Sequence, residues 1–137
     1  MLRDEKILIT GPAGRIAYGL ARSLVADNDV WGIARFGDPA TREKVDALGV
    51  TTRAMDFADG DFGDLPTDFT YLLHLDWLET GEVVAWLQEH RPPAMHVVIT
   101  GRHSPAALVE MADLVTEMRE VKHYWKNGVP CRTGIER

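Results

Sequence analysis

Cysteine is nearly absent from this sequence. The chain of 137 residues has one, Cys131, which has no second cysteine to pair with in a disulfide. Such sparse use of cysteine is typical of a reducing compartment, and we expect a cytoplasmic protein. A single thiol cannot build a thiolate zinc site, and the five histidines show no His-x-x-x-His spacing. We therefore expect no metal.

Long apolar runs and an excess of positive charge are also missing. No run approaches the roughly 18 apolar residues that a membrane-spanning helix needs. The first residues, Met1 to Lys6, are charged and lead directly into an apolar run, unlike a secretory signal. Lysine and arginine number 15 against 21 acidic residues, which gives a net charge of −6. This balance argues against nucleic acid or an anionic membrane as the partner, and no pattern indicates an oligomeric state.

Short apolar runs alternate with segments of helical spacing along the whole chain. The runs predict buried strands at Ile7–Ile9, Val30–Ala34, Val50–Met55, Tyr71–Leu75 and Met95–Thr100. This alternation predicts one α/β domain of three layers, a doubly wound parallel sheet in the order 3-2-1-4-5. Residues 115–121 either prolong the last helix or add a sixth strand. A ligand crevice is expected at the carboxyl ends of the first and fourth strands.

Thr-Gly follows a predicted strand at two places. At the first, Gly11, Gly14 and Ala17 form a Gly-x-x-Gly-x-x-Ala pattern that leads into a helix. Glycines there permit a tight turn and the close approach of a pyrophosphate, and Ala17 lets the helix pack close to the sheet. A plain strand-to-helix turn is the alternative. At the second, no further glycine follows Gly101, and Ser104-Pro105 predicts only a helix start.

Residues 1 to about 75 resemble the extended short-chain dehydrogenase/reductase family through the segments ILITGPAGRIAYGLARSL, VWGIAR, AMDFAD and YLLHL. The resemblance implies a dinucleotide site, with Asp56 and Phe57 beside the adenine. Arg35, where NAD-selective members carry an acid, suits the 2′-phosphate of NADP, although a solvated arginine is the alternative. The implied cofactor-binding residues are Gly11, Ala13, Gly14, Arg15, Ile16, Ala17, Arg35, Asp56, Phe57, Leu73, His74 and Leu75. NADP is favoured over NAD, with weak affinity.

The catalytic pair of that family, Tyr-x-x-x-Lys, is missing. None of Tyr18, Tyr71 and Tyr124 has a lysine four residues later. A bound nicotinamide would therefore lack the proton donor that the lysine activates in that family.

Residues from about 76 to 136 resemble the C-terminal part of ATP:corrinoid adenosyltransferases, through EVVAWLQEHRPPAMHVVITGR, ADLVTEMREVKH and NGVPCRTGIE. That family begins its chemistry with a Gly-x-x-x-x-Gly-Lys-[Ser/Thr] loop, which this sequence does not contain. Asp76 matches the Mg²⁺-coordinating acid of the family, but a strand-end aspartate that caps the next turn is the better interpretation.

Two partial resemblances, each without its catalytic motif, lead to a functional prediction. We interpret the chain as a chimera with a junction at about 72–83, made in a laboratory rather than evolved. It is predicted to be no enzyme, with no catalytic residue, and to bind at most a small-molecule dinucleotide. A residual enzyme, either a reductase or a corrinoid adenosyltransferase, and a scaffold that binds nothing are the alternatives.

Overall fold

The computed structural model describes residues 2–56, 59, 62–74, 84–85, 87–89, 91–101 and 104–130. Its elements are β1 (Lys6–Thr10), α1 (Arg15–Leu24), β2 (Asp29–Ala34), α2 (Pro39–Asp46), β3 (Thr51–Ala54), β4 (Tyr71–His74), β5 (His96–Ile99) and α3 (Ala106–Met111). A 3₁₀ turn follows at Tyr124–Asn127. The predicted Phe57, Leu75 and Asp76, and the Cys131 thiol, lie outside the described residues.

The five strands form one parallel sheet in the order β3-β2-β1-β4-β5. This confirms the predicted doubly wound fold. The strands coincide with the apolar runs of the sequence, but their ends differ. β1 extends one residue beyond its run at each end and β2 begins one residue earlier, whereas β3 and β5 are one residue shorter at each end. Residues 115–121, where the sequence left a choice between helix and strand, form neither.

Both faces of the sheet are covered by apolar packing. On one face, Ile7 and Ile9 of β1 pack with Ala17 and Ala21 of α1 and with Val45 of α2. The other face is built around buried side chains of several elements: Leu8, Ile33, Phe69, Leu72, Leu87 and Met95. α3 completes that layer with the partly buried Leu108 and Met111. The alternation of side chains along β1 therefore places neighbouring residues in different layers.

The described helices are short. The longest, α1, has ten residues, so no helix in the described ranges could span a bilayer.

Candidate functional site

The turn from β1 to α1 lies at the carboxyl edge of the sheet. Gly11 has a φ of 59°, a left-handed conformation that glycine adopts without the strain a side chain would add. Its N–H donates to the carbonyl of Ile33 on β2 over 2.9 Å, and the N–H of Gly14 donates back to the Gly11 carbonyl over 2.9 Å. A Cβ on Gly14 would lie 3.2 Å from that same carbonyl oxygen. The turn is therefore tight at both glycines.

Helix α1 begins directly after this turn, with Gly14 as its N-cap and no side-chain oxygen capping its first N–H groups. Ala17 and Ala21 are buried against the sheet, and their small side chains let the helix approach it closely. Ala13, Arg15 and Ile16 are exposed around the helix start. The positive end of the α1 dipole thus lies beside an open, glycine-lined edge.

Pro12 packs this turn against the sheet, a contact that was not predicted from the sequence. Its ring is buried above Gly32 of β2, where an added Cβ would lie 2.8 Å from the Pro12 Cγ. Only the missing side chain of Gly32 allows this contact. A glycine inside an apolar strand was the available signal, because such glycines often mark a close approach of other backbone.

Thr10 and His74 meet on the other side of the turn. Thr10 is the last residue of β1 and His74 the last of β4, and they are paired in register. The Thr10 Oγ1 lies 2.9 Å from the His74 Nδ1, with both residues buried. The His74 imidazole, which the family resemblance implied to be cofactor-binding, is thus packed against the strand that leads into the turn. Leu73 faces the opposite layer, against the α1 side of the core.

Arg35 follows β2 at the same edge and is exposed. It forms no ion pair with the rest of the described chain. The next residue, Phe36, has a φ of 43°, so the chain turns sharply there. The carboxylate of Asp38, three residues after Arg35, caps α2. It accepts from the N–H groups of Ala40 and Thr41, each over 3.2 Å.

Asp56 lies one strand further along this edge. The N–H of Met55 donates to the carbonyl of Ala34 over 3.0 Å, which aligns the end of β3 with the end of β2. Asp56 is half-buried, and its carbonyl accepts from the N–H of Asp59 over 3.2 Å. The glycine turn, Arg35 and Asp56 therefore follow the ends of three neighbouring strands, β1, β2 and β3, along this edge.

The second Thr-Gly differs from the first. A Cβ on Gly101 would meet nothing within 4 Å, whereas one on Gly14 would press on backbone. The short α3 then begins after Pro105, which serves as its N-cap.

The described residues contain no group of three or more histidine, cysteine, aspartate or glutamate side chains placed to hold a metal ion. At the amino edge of the sheet, a depression is lined by polar residues around Lys6 and Asp68, whose charged groups lie 2.8 Å apart. This hydrogen bond from Lys6 lowers the pKa of the Asp68 carboxyl. The depression lies at the end of the sheet opposite the glycine turn.

The second half of the chain is similar in sequence to a known protein family. Residues 65–137 match the sequence model of the family ATP:corrinoid adenosyltransferase BtuR/CobO/CobP. The chain belongs to this family. A corrinoid adenosyltransferase from Sinorhizobium sp is 44% identical over 64 residues, which are 47% of this chain and 30% of that protein. One from Pseudomonas aeruginosa is 41% identical over 80 residues, 58% of this chain and 39% of that protein. The chain thus spans about a third of the length of these relatives.

The fold also resembles solved structures from outside that family. Apo saccharopine dehydrogenase from Saccharomyces cerevisiae superposes with a TM-score of 0.57 at 20% identity, over 78% of this chain and 24% of that one. At this identity the likeness supports the fold alone. It agrees with the Rossmann-like strand order of the sheet.

These matches correct one prediction and confirm part of another. The prediction that the chain is not an enzyme, and only a non-catalytic chimera, is wrong, because the family to which it belongs consists of adenosyltransferases. The resemblance of the second half to that family is confirmed, and the match begins at residue 65, before β4. A junction at 72–83 and a laboratory origin stay predictions.

Proposed function

We propose that this protein takes part in the transfer of the adenosyl group of ATP to a corrinoid. The observation that carries the proposal is the family match over residues 65–137, which includes β4, β5 and α3. In such a transfer, reduced cobalt supplies the electron pair of the new cobalt–carbon bond. The bond from C5′ to the triphosphate oxygen breaks, and triphosphate leaves with its negative charge.

The triphosphate needs a cradle, and the turn between β1 and α1 is the part of this chain best suited to be one. The family's Gly-Lys loop does not occur in the sequence. The turn at Gly11 and Gly14 instead presents the start of α1 with no side-chain cap. Backbone N–H groups and the helix dipole favour an anion at such a position. β4, the first strand of the family match, lies directly beside β1.

The test is an adenosylation assay with the purified protein, ATP, Mg²⁺ and a chemically reduced corrinoid, followed by the absorbance of the adenosylated product. We expect product in excess of the protein-free background. Gly14→Val should reduce the rate strongly, because its side chain would press on the Gly11 carbonyl at the phosphate position. Gly19→Val is the matched control on the same helix, since a Cβ there meets nothing within 4 Å. Product formation no faster than background would refute the proposal.

A second candidate function is the binding of NADP(H) at the same turn. The observation that favours it is the placement of Arg35, exposed at the edge while the Asp38 carboxylate is engaged in its helix cap. A guanidinium can form charge-assisted hydrogen bonds to a 2′-phosphate, worth about 1.5–3 kcal/mol, or roughly tenfold to a hundredfold in affinity. Affinity in the micromolar range or weaker is expected.

Titrations with NADPH, NADH and ATP separate the two candidates. If the dinucleotide binds, NADPH should bind more tightly than NADH, and Arg35→Ala should remove that preference while the NADH affinity stays nearly unchanged. Equal affinity of the unmodified protein for NADPH and NADH would show that Arg35 does not bind the 2′-phosphate. ATP binding without dinucleotide binding would leave adenosyl transfer as the sole candidate.

A further inference from the structure

The hydrogen bond between Thr10 and His74 is unusual in its setting. These are the two buried residues with polar side chains in the described part of the chain, with exposures of 3% and 4%. Their Oγ1 and Nδ1 atoms are 2.9 Å apart. Two polar groups have been removed from water here, which costs free energy unless they form hydrogen bonds within the protein.

The sheet itself does not require this pair. β1 and β4 are already joined by a parallel ladder whose register runs from Ile7–Tyr71 to Thr10–His74. Replacing both members of a buried hydrogen-bonded pair with apolar groups of similar shape is often nearly neutral for stability. The pair therefore contributes something that apolar packing would not, namely a fixed direction for the Thr10 side chain.

That direction matters because Thr10 immediately precedes the left-handed Gly11. On the β2 side, the turn is held by the Gly11 N–H bond to Ile33 and by Pro12 on Gly32. On the β4 side, the Thr10 hydroxyl shares a hydrogen bond with the His74 imidazole. The turn is thus anchored to both neighbouring strands.

We propose that His74 is a positioning residue for the nucleotide: through Thr10 it holds the β1–α1 turn in the conformation that receives a nucleotide phosphate. The inference rests on the proposed placement of a nucleotide at this turn. His74 does not touch the ligand. Its effect is preorganisation, because a turn that is already in its bound conformation loses less entropy when the ligand arrives.

The first measurement is nucleotide affinity in a matched series, by calorimetric titration with ATP and with NADPH. Thr10→Ser keeps the hydroxyl and should bind like the unmodified protein. Thr10→Val keeps the shape but loses the hydroxyl, and the dissociation constant should rise about tenfold. His74→Leu should also raise the dissociation constant, and the two effects should be less than additive in the double variant, since both substitutions remove the bond between Thr10 and His74.

The second measurement is amide hydrogen exchange without ligand, which a purely structural role would not alter selectively. In Thr10→Val, exchange at Gly11 and Gly14 should accelerate about tenfold, while Leu8 and Val30 in the core keep their protection. Equal acceleration at all four amides, or unchanged exchange at the two glycines, overturns the proposal. If Thr10→Val does not fold, the double variant Thr10→Val/His74→Leu, with its apolar pair, is measured in its place.

The two measurements separate this inference from the function on which it rests. If the unmodified protein binds neither ATP nor NADPH, the proposed nucleotide site is wrong, and so is a role for His74 in nucleotide binding. A selective acceleration of exchange at the two glycines in Thr10→Val would then show that Thr10 holds the turn, but that the turn does not bind a nucleotide. If nucleotide binds and Thr10→Val leaves its affinity unchanged, the site stands and the positioning role of His74 is refuted.

Discussion

A single methyl group on Gly32 should disturb the turn at the candidate site. Gly32 lies within β2, under the ring of Pro12. In Gly32→Ala, the new Cβ would lie 2.8 Å from the Pro12 Cγ and 3.2 Å from the Val50 Cγ1. The proline ring is rigid and fully buried, so it cannot rotate away as a flexible side chain would. The turn must lift or the strand must shift.

The size of the effect follows from two opposing terms. Overpacking of a core by one methyl group typically costs about 1–3 kcal/mol. Replacing glycine with alanine at a compatible backbone conformation recovers about 0.4–1 kcal/mol, because the unfolded chain loses freedom. We expect a net loss of about 1–2 kcal/mol in the free energy of unfolding. For a chain of this length, that lowers the melting temperature by about 4–8 °C.

The assay is urea unfolding followed by tryptophan fluorescence, together with a thermal melt. Gly19→Ala is the control, because Gly19 lies in α1 and a Cβ there meets nothing within 4 Å. That variant should gain about 0.5–1 kcal/mol, the helix propensity of alanine over glycine. If Gly32→Ala is as stable as Gly19→Ala, Pro12 does not pack on Gly32, and the turn is not held against β2 by this contact.

Much of the fold could be predicted from the sequence, because the signals of an α/β sheet are local. Buried parallel strands require continuous apolar runs, and the right-handed crossover then restricts the strand order. The apolar runs Ile7–Ile9 and Tyr71–Leu75 were sufficient by themselves to predict β1 and β4. The signals that start α2 at Asp38-Pro39 are equally local, since the cap and the proline act within one turn. Residues 115–121 do not prolong the last helix, because Leu114 and Met118 are 84% and 95% exposed and bury no apolar face there.

The candidate site was predictable only in part. The spacing of Gly11, Gly14 and Ala17 indicates a tight turn into a close-packed helix, and such a turn is found. The contacts that hold the turn are not local. Thr10 and His74 are 64 positions apart, and their pairing depends on the register of two strands.

The prediction that the chain is not an enzyme came from motifs that the sequence lacks. The absence of a Gly-Lys loop excludes only that one way of holding ATP phosphates. The family match over residues 65–137 then overturned the broader conclusion. Positive patterns, such as ADLVTEMREVKH, were the more reliable guide.

Three further variants test the packing and charges described above. Leu72→Ala, at a position 1% exposed, should cost about 2–5 kcal/mol in urea unfolding, and a smaller loss than about 1 kcal/mol would contradict its place in the core. Asp68→Asn should change the melting temperature little, because its pair with Lys6 is exposed and screened by salt. Asp38→Ala should lower the melting temperature at pH 7, since the carboxylate caps α2. The hydrogen bond from the Thr41 hydroxyl, with those from the backbone, lowers the Asp38 pKa in the folded protein. The stabilisation is therefore complete above the unfolded pKa of about 3.9 and is lost as pH falls through the lower folded value. The difference in melting temperature between Asp38→Ala and the unmodified protein should accordingly shrink in acid, and a difference that persists at pH 2 would show that Asp38 acts through something other than its charge.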